Sequence, residues 1–269
     1  MTASVPVVTF LSDYGSCDEF VGVCHAVIAR RCPRARIIDL THGIARHDVR
    51  SGALALRAAL PYAPAGVHLA VVDPGVGGDR RAVALRVAAE DRILVGPDNG
   101  LLALAAEELG GPVEAVDIGD SPECLRPVSS TFHGRDVFAP VAAALADGAT
   151  LADLGAVVDP AGLATLALPQ PRLDGERLIA HVLSTDVYGN LALDASVEQV
   201  PAARGAALLV EAAGAALNAR FVATFGDVDA GELLAYRDGR GALALAVNGG
   251  SAAQELALAV DDELVLRPR

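Results

Sequence analysis

Three short segments concentrate the residue types able to do chemistry. The first is Asp73-Pro74-Gly75-Val76-Gly77-Gly78-Asp79-Arg80. Its glycines let a ligand approach the main chain closely, and it offers one carboxylate and one guanidinium for a shared task. It lacks the Lys-Ser/Thr end of a P-loop and the spacing of a dinucleotide fingerprint. A glycine-rich surface turn with an Asp–Arg pair is the alternative, and composition alone slightly favours it. The second is Ser130-Thr131-Phe132-His133-Gly134-Arg135-Asp136. His133 sits just ahead of a helical pattern, as a general base or as a helix-entry His bonded to backbone. Arg135 and Asp136 read as a structural ion pair. The third is Asp186-Val187-Tyr188-Gly189-Asn190. Asp186 is able to bind an ammonium group, and the Asn190 amide both donates and accepts, as pairing with a heterocycle edge requires. Taken singly, this segment is an ordinary loop.

The elements around these segments explain why they belong together. Val5 to Leu11, Ala35 to Leu40, Val67 to Val72, Ala82 to Val87 and Arg92 to Val95 are apolar strand-like runs. Helical patterns lie over Phe20 to Ile28, Val49 to Leu60, the Leu/Ala run ending at Leu109, and Val137 to Leu145. Alternation of this kind predicts a sheet covered on both faces, whose ligands sit beyond the carboxyl ends of its strands. Asp13, Thr41-His42, Asp73 and Asp98 all fall just past predicted strands. Beyond Leu166 to Glu176, which is rich in turn residues and reads as a linker, helical periodicity fades. Strand-like runs follow at Leu178 to Leu183, Ala207 to Glu211, Arg220 to Phe225, Leu233 to Arg237, Ala242 to Val247 and Glu263 to Leu266. Asp238-Gly239 predicts a hairpin turn between two of them. The expected organisation is an α/β domain over 1–168 with a mostly parallel central sheet, and a smaller β domain over 176–269.

Composition narrows the function classes. The 269 residues are enough to bury a core, and 52% are hydrophobic, which excludes disorder. A net charge of −13 opposes a broad phosphate-binding surface, so no nucleic-acid partner is expected. No apolar stretch is long enough to span a bilayer. The start, MTASVPVVTFLSDYG, has no basic leader, and Cys17, Cys24, Cys32 and Cys124 form no CxxC pair. Reduced thiols in a cytoplasm are expected, with Cys24 packed in the core and Cys17 in a loop. Three of the four thiols fall in one segment read as helical. Asp13, Asp39, His42, Asp73 and His133 are the residues suited to a metal, but no close-spaced ligand motif accompanies them and no metal is expected. The absence of GxSxG argues against a serine hydrolase.

The motifs occur in one order: SDYGSCDEFVG at 12–22, IDLTHGI at 38–44, VVDPGVGGDRR at 71–81, GPDNGLL at 96–102, STFHGRDVFAPVAA at 130–143, DVYGN at 186–190 and LALAVNGGSAA at 243–253. In this order and over nearly its whole length, the chain resembles the S-adenosylmethionine hydrolases, also called S-adenosylmethionine hydroxide adenosyltransferases. These are relatives of the fluorinating and chlorinating enzymes that use the same substrate. The resemblance implies an α/β domain followed by a β-barrel-like domain, a homotrimer with sites at subunit interfaces, and conversion of S-adenosylmethionine and water into adenosine and L-methionine with no cofactor. It implies an Asp73–Arg80–His133 catalytic set, Asp13 on the ribose hydroxyls, Asp186 on the methionine amine, Asn190 on adenine, and the Asn248 to Ser251 backbone bordering adenine. Tyr188 belongs to the same substrate-binding segment.

The chemistry suits these residue types. A sulfonium leaves as a neutral thioether and needs no acid, so the demand is to hold one water in line with the breaking C–S bond. Asp73 or His133 could take its proton, and Arg80 could orient Asp73. The halogenating relatives align with a Tyr in place of Asp73, and an ionised Asp73 would oppose a halide, so a halide-dependent adenosyltransferase is the disfavoured alternative. A non-catalytic S-adenosylmethionine or adenosine binder is another, since it would need the ligand contacts but not the Asp-Arg-His set. Two departures stand out: His47, where relatives often carry an aromatic residue, and Gly239, where many carry a Ser that helps hold the methionine end.

Overall fold

The computed structural model describes residues 5–89 and 91–269, and the chain divides into two compact units between Leu166 and Ala167. Among the described residues, the first unit runs β1 (Val7–Ser12), α1 (Phe20–Arg31), β2 (Arg36–Thr41), α2 (Val49–Ala59), β3 (Val67–Val71), β4 (Ala82–Val87), β5 (Ile93–Pro97), α3 (Ala103–Glu108), β6 (Pro112–Asp117), a π-helical turn (Gly134–Phe138), α4 (Ala139–Ala146) and β7 (Ala156–Val158). Its sheet has the order β2-β1-β3-β5-β4-β6-β7. The β2, β1, β3 and β5 pairings are parallel, and β4 reverses the direction on one side. β6 and β7 then pair antiparallel. β1, β2, β3, β5 and β6 therefore point the same way, as the mostly parallel expectation required.

Period-two alternation within the buried strands separates two cores. Val8 and Phe10 of β1 and Leu69 and Val71 of β3 pack with Cys24 and Ile28 of α1 and with α4. Leu11, Ala70 and Leu94 pack with Leu56 of α2 and with Ala105 and Ala106 of α3. The result is a sheet sandwiched between helical layers. α4 (APVAAALA) is apolar all round because residues 139 to 145 are all buried. Asp48 caps α2, its side chain accepting from Ser51 N at 2.9 Å.

The second unit is a closed barrel. It contains β8 (Arg172–Asp174), β9 (Arg177–Thr185), β10 (Leu191–Leu193), β11 (Ala207–Ala212), β12 (Ala215–Phe221), β13 (Leu233–Arg237), β14 (Leu243–Val247), α5 (Ala252–Glu255) and β15 (Glu263–Pro268). The order β10-β14-β13-β12-β11-β15-β9 closes through β9–β10, with β8 appended to β9. Only β12–β13 is parallel. Every second residue faces inward: Leu178, Ala180 and Val182 on β9, Leu208, Val210 and Ala212 on β11, Leu243, Leu245 and Val247 on β14.

Several local expectations change. The linker reading of 166–176 fails in its second half, because Arg172–Asp174 pairs with Arg177–Ile179 as a hairpin. The strand expected at Arg220 to Phe225 lies earlier, at Ala215–Phe221, and Thr224 caps a 3-10 turn at Phe225–Asp227. The β13–β14 hairpin forms, but through a longer loop. The Asp238 carboxylate accepts from Arg240 N and Ala242 N, and Gly241 rather than Gly239 takes the left-handed conformation at φ 89°. Only Cys24 of the three grouped thiols lies within α1; Cys17 is an exposed loop thiol and Cys32 caps the helix. Among the described residues, no helix is long and apolar enough to cross a membrane.

Candidate active site

β1 is the topological switch point of the first sheet, with β2 on one side and β3 on the other. Chain leaving β1 and β3 therefore diverges and opens a crevice at their carboxyl ends. Parallel register sets Ser12 beside Val71, so Asp13 and Asp73 emerge as neighbours; Asp13 N donates to Val71 O at 3.3 Å. A cleft of about 370 Å³, open to solvent, lies there. It is lined by Asp13, Tyr14, Asp18, Phe20, Arg46, His47, Asp73, Val76, Thr131, His133 and Gly134.

Three of the residues singled out in the sequence interlock at its base. Arg80 Nε donates to Asp73 Oδ1 at 2.8 Å, and Nη2 donates to Asp73 Oδ2. The same Nη2 lies 2.8 Å from His133 Nδ1. The Asp73 and Arg80 side chains are 6% and 11% exposed, so the pair is scarcely screened. The guanidinium also lies 5.4 Å from the centroid of the Phe138 ring. A guanidinium has only donors, so Nδ1 of His133 must accept and the ring carries its hydrogen on Nε2. Burial, and then the Arg80 charge, hold the His133 pKa below its ordinary value. His133 is therefore a neutral imidazole with one nitrogen committed.

Backbone geometry brings these residues together. Gly77 has φ 76°, and a Cβ there would lie 2.2 Å from Ser130 O. Only glycine lets the 73–80 turn press against the 130–134 segment and set Arg80 on His133. Gly134 has a similar role, since its Cβ would lie 2.0 Å from the Tyr14 hydroxyl. The Arg135–Asp136 ion pair forms at 2.6 Å, and Asp136 also accepts from Ser129 N, fixing the loop that carries His133. Burial opposes ionisation of Asp136, but the Arg135 and Ser129 hydrogen bonds outweigh it and hold its pKa low. Burial first, then Cys24, Asp13 and Asp73, hold the Tyr14 hydroxyl far above its ordinary range, so it remains a phenol.

Asp13 and His47 meet on the same cleft. The His47 N–H donates to Asp13 Oδ2 at 2.9 Å, and His47 itself sits at φ 65° with an exposed side chain. In the barrel unit, Asp186 and Asn190 line a separate small cleft with Ser184, Tyr236, Asp238, Gly239 and Arg240. Asp186 Oδ1 accepts from the N–H groups of Tyr188 and Asn190, and Oδ2 accepts from Asn190 Nδ2 at 2.8 Å. This fixes the Asn190 amide and leaves its Oδ1 as an acceptor. Tyr188 is 76% exposed and does not line that cleft. Asn248 Nδ2 donates to Val228 O at 3.0 Å. Ser251 caps α5 and lies against Gly189, where a Cβ would meet Ser251 Oγ at 2.0 Å. Neither Asn248 nor Ser251 lines the Asp186 cleft through its side chain.

Sequence reasoning missed Tyr14, Asp18, Phe20, Arg46 and Thr131 in the first cleft and Tyr236, Asp238 and Arg240 in the second. Tyr14 and Thr131 lie inside the motifs, whereas Arg46 carries no signal of its own. The five residues suited to a metal separate. Asp13, Asp73 and His133 line the first cleft, whereas Asp39 and His42 meet His25 apart from that lining. A more apolar cleft in the first unit, bordered by Val83, Leu85, Leu102 and Leu163, has Asp98 and Glu107 as its only ionisable lining residues among the described residues, with Asp98 tied to Arg81.

Residues 8–155 match the family model of the SAM hydroxide adenosyltransferase N-terminal domain, and residues 180–265 match that of its C-terminal domain. The chain is 50% identical over 265 residues to the (R)-S-adenosyl-L-methionine hydrolase of Salinispora tropica, covering 97% of this chain and 98% of the relative. A fluorinase of Nocardia brasiliensis is more distant, 28% identical over 278 residues with 92% of each chain covered. The crystal structure of a conserved protein from Thermotoga maritima superposes with a TM-score of 0.90 at 36% identity, over 97% of this chain and 99% of that one. The chain belongs to the SAM hydroxide adenosyltransferase family.

Proposed function

We propose that the protein is an S-adenosyl-L-methionine hydrolase, producing adenosine and L-methionine by attack of water at C5′. Its close relatives are named for the (R) sulfonium epimer, and we extend that preference to this chain. The observation that carries the catalytic assignment is the Asp73–Arg80–His133 interlock at the base of the switch-point cleft.

Its geometry supports the following division of roles. The His133 Nδ1 lone pair already accepts from Arg80, so that nitrogen takes no proton from water. The acceptor that remains is the Asp73 carboxylate, whose oxygens each keep a lone pair after accepting from Arg80. The water oxygen forms the new bond to C5′ as the C5′–S bond breaks. That bonding pair leaves on sulfur as the neutral thioether of methionine, and the water proton passes to Asp73 and then to solvent. Arg80 fixes Asp73 in position, and His133 Nε2–H serves as a donor that orients the water. Asp13 holds the ribose hydroxyls, with His47 beside the nucleoside. Asp186 takes the methionine ammonium, Asn190 Oδ1 accepts from the adenine amine, and the Asn248 to Ser251 backbone borders the ring. A halide in place of water would face the Asp73 carboxylate, which disfavours halogenation.

The reading includes a homotrimer with sites at subunit interfaces and no cofactor, which the family resemblance implies, and a cytoplasmic location, which rests on the four cysteines reading as reduced thiols. The test is incubation of halide-free protein with each sulfonium epimer in ordinary and oxygen-18 water. Equimolar adenosine and methionine with the label in adenosine is the expected result. Bound, unchanged substrate would replace the hydrolase with a binding protein. Light scattering that reports a monomer under assay conditions would remove the trimer.

A further inference from the structure

Outside the cleft lining, His25 on α1, Asp39 on β2 and His42 just beyond β2 converge. His25 Nε2 lies 2.9 Å from Asp39 Oδ1, and His42 Nε2 lies 3.1 Å from the same oxygen. All three candidate ligand atoms are within 4.8 Å of one another. We propose that His25 Nε2, Asp39 Oδ1 and His42 Nε2 form a zinc site, with solvent completing the coordination.

The decisive feature is the unpaired nitrogen of His42. Its side chain is 12% exposed, and Nε2 is buried without a hydrogen-bond partner among the described residues. Asp39 Oδ1 is near enough but out of line for an N–H···O bond. The other ring nitrogen is engaged, with His42 Nδ1 at 2.7 Å from Ser12 Oγ. When Nδ1–H donates to that hydroxyl, Nε2 presents a bare lone pair beside, rather than along the line to, a carboxylate oxygen that also faces a second imidazole. A proton placed between any two of these atoms leaves the third unsatisfied, whereas one cation satisfies all three. A metal-bound His usually donates its other ring N–H to such a partner.

The donor set selects the ion. Two imidazoles and a carboxylate suit zinc and disfavour magnesium or calcium, which prefer oxygen. Tetrahedral ligand atoms at about 2.0–2.1 Å from zinc lie about 3.3 Å apart, so the 2.9 and 3.1 Å separations need to widen by only a few tenths of an ångström to admit the ion. Asp39 and His25 are 41% and 32% exposed at the side chain, which gives the ion an entry path and leaves room for water. Ser12 precedes Asp13, and the His42 carbonyl accepts from Gly15 N at 2.8 Å, so the ion would brace the loop that carries Asp13. The site does not depend on the hydrolase reading.

The test is calorimetric titration of Zn2+ alone into the tag-free, metal-stripped full chain. Equimolar binding is expected, with Mg2+ giving none. His25→Ala and Asp39→Asn should each weaken Zn2+ binding by about 100-fold or more, since loss of a ligand costs at least as much as loss of an outer-shell partner. His25 is partly exposed, so circular dichroism of the zinc-free variant should match the parent. Should either variant misfold, the other decides. His133→Ala and Cys17→Ser should bind as the parent does. Absence of Zn2+ binding by the parent, or equal binding by the parent and the two ligand variants, would overturn the site.

Discussion

Removing the Arg80 guanidinium should damage stability and catalysis by separable amounts. Arg80→Ala deletes both bonds to Asp73 and the bond to His133 Nδ1, leaving a carboxylate that is 6% exposed without a cation. Orphaning a buried charge costs about 3–5 kcal/mol. In a chain of this size that lowers the melting temperature by roughly 6–20 °C. Asp73→Ala/Arg80→Ala removes the orphan as well, so it should be less destabilised than the sum of the single variants by about 2 kcal/mol. The chain has no Trp, so unfolding is best followed by far-ultraviolet circular dichroism in urea. Arg80→Lys keeps a charge but cannot hold Asp73 and His133 together through a rigid fork. Its kcat should fall by about 10²–10³, with KM nearly unchanged. Additive stability costs, or wild-type turnover in Arg80→Lys, would refute the interlock as the basis of both effects.

Other perturbations reach different parts of the molecule. Gly77→Ala must relieve both φ 76° and a 2.2 Å approach to Ser130 O. It should cost about 1–3 kcal/mol and depress turnover by moving Arg80 from His133, as parallel denaturation and product assays would reveal. Asp186→Ala frees the Asn190 amide and removes the carboxylate proposed to take the methionine ammonium. It should raise KM by about 10–100-fold with little change in kcat, and an unchanged KM would exclude Asp186 from the site. The His133 pKa is depressed, so its neutral form persists below pH 6.5 in the native state. Turnover that depends on neutral His133 should thus stay flat as the pH falls through about 6.5, its ordinary value, and decline only below it. A pH–rate profile falling at 6.5 itself would contradict that. His68, fully buried between Thr9 and Arg92, is pushed down to about 4 by burial and then by Arg92. The unfolded chain takes up this proton first, so roughly 3 kcal/mol of stability present above pH 6.5 is lost as the pH falls toward 4. Replacing His68 with Gln should flatten that acid limb in pH-dependent denaturation.

The sequence by itself determined the alternation of buried strands and helices and the change to a strand-rich second unit. Both follow from hydrophobic period, which each segment carries locally. It also placed Asp13 and Asp73 at strand ends, and the ordered motifs identified the family. Pairing decided the rest. β6 opens with a proline and carries Glu114, so its period is weak, and only its partners β4 and β7 make it a strand. The three-residue β8 and β10 hold too few residues to show a period and gain their identity from pairing, β10 by closing the barrel onto β9 and β8 by adding to the outer side of β9. The tautomer of His133 depended on Arg80 arriving from a distant turn, because hydrogen-bond direction is a property of two partners in space. The meeting of His25 with Asp39 and His42 joined a helix to the neighbouring strand end. That proximity is written in the packing of α1 on the sheet, and no spacing along the chain carries it.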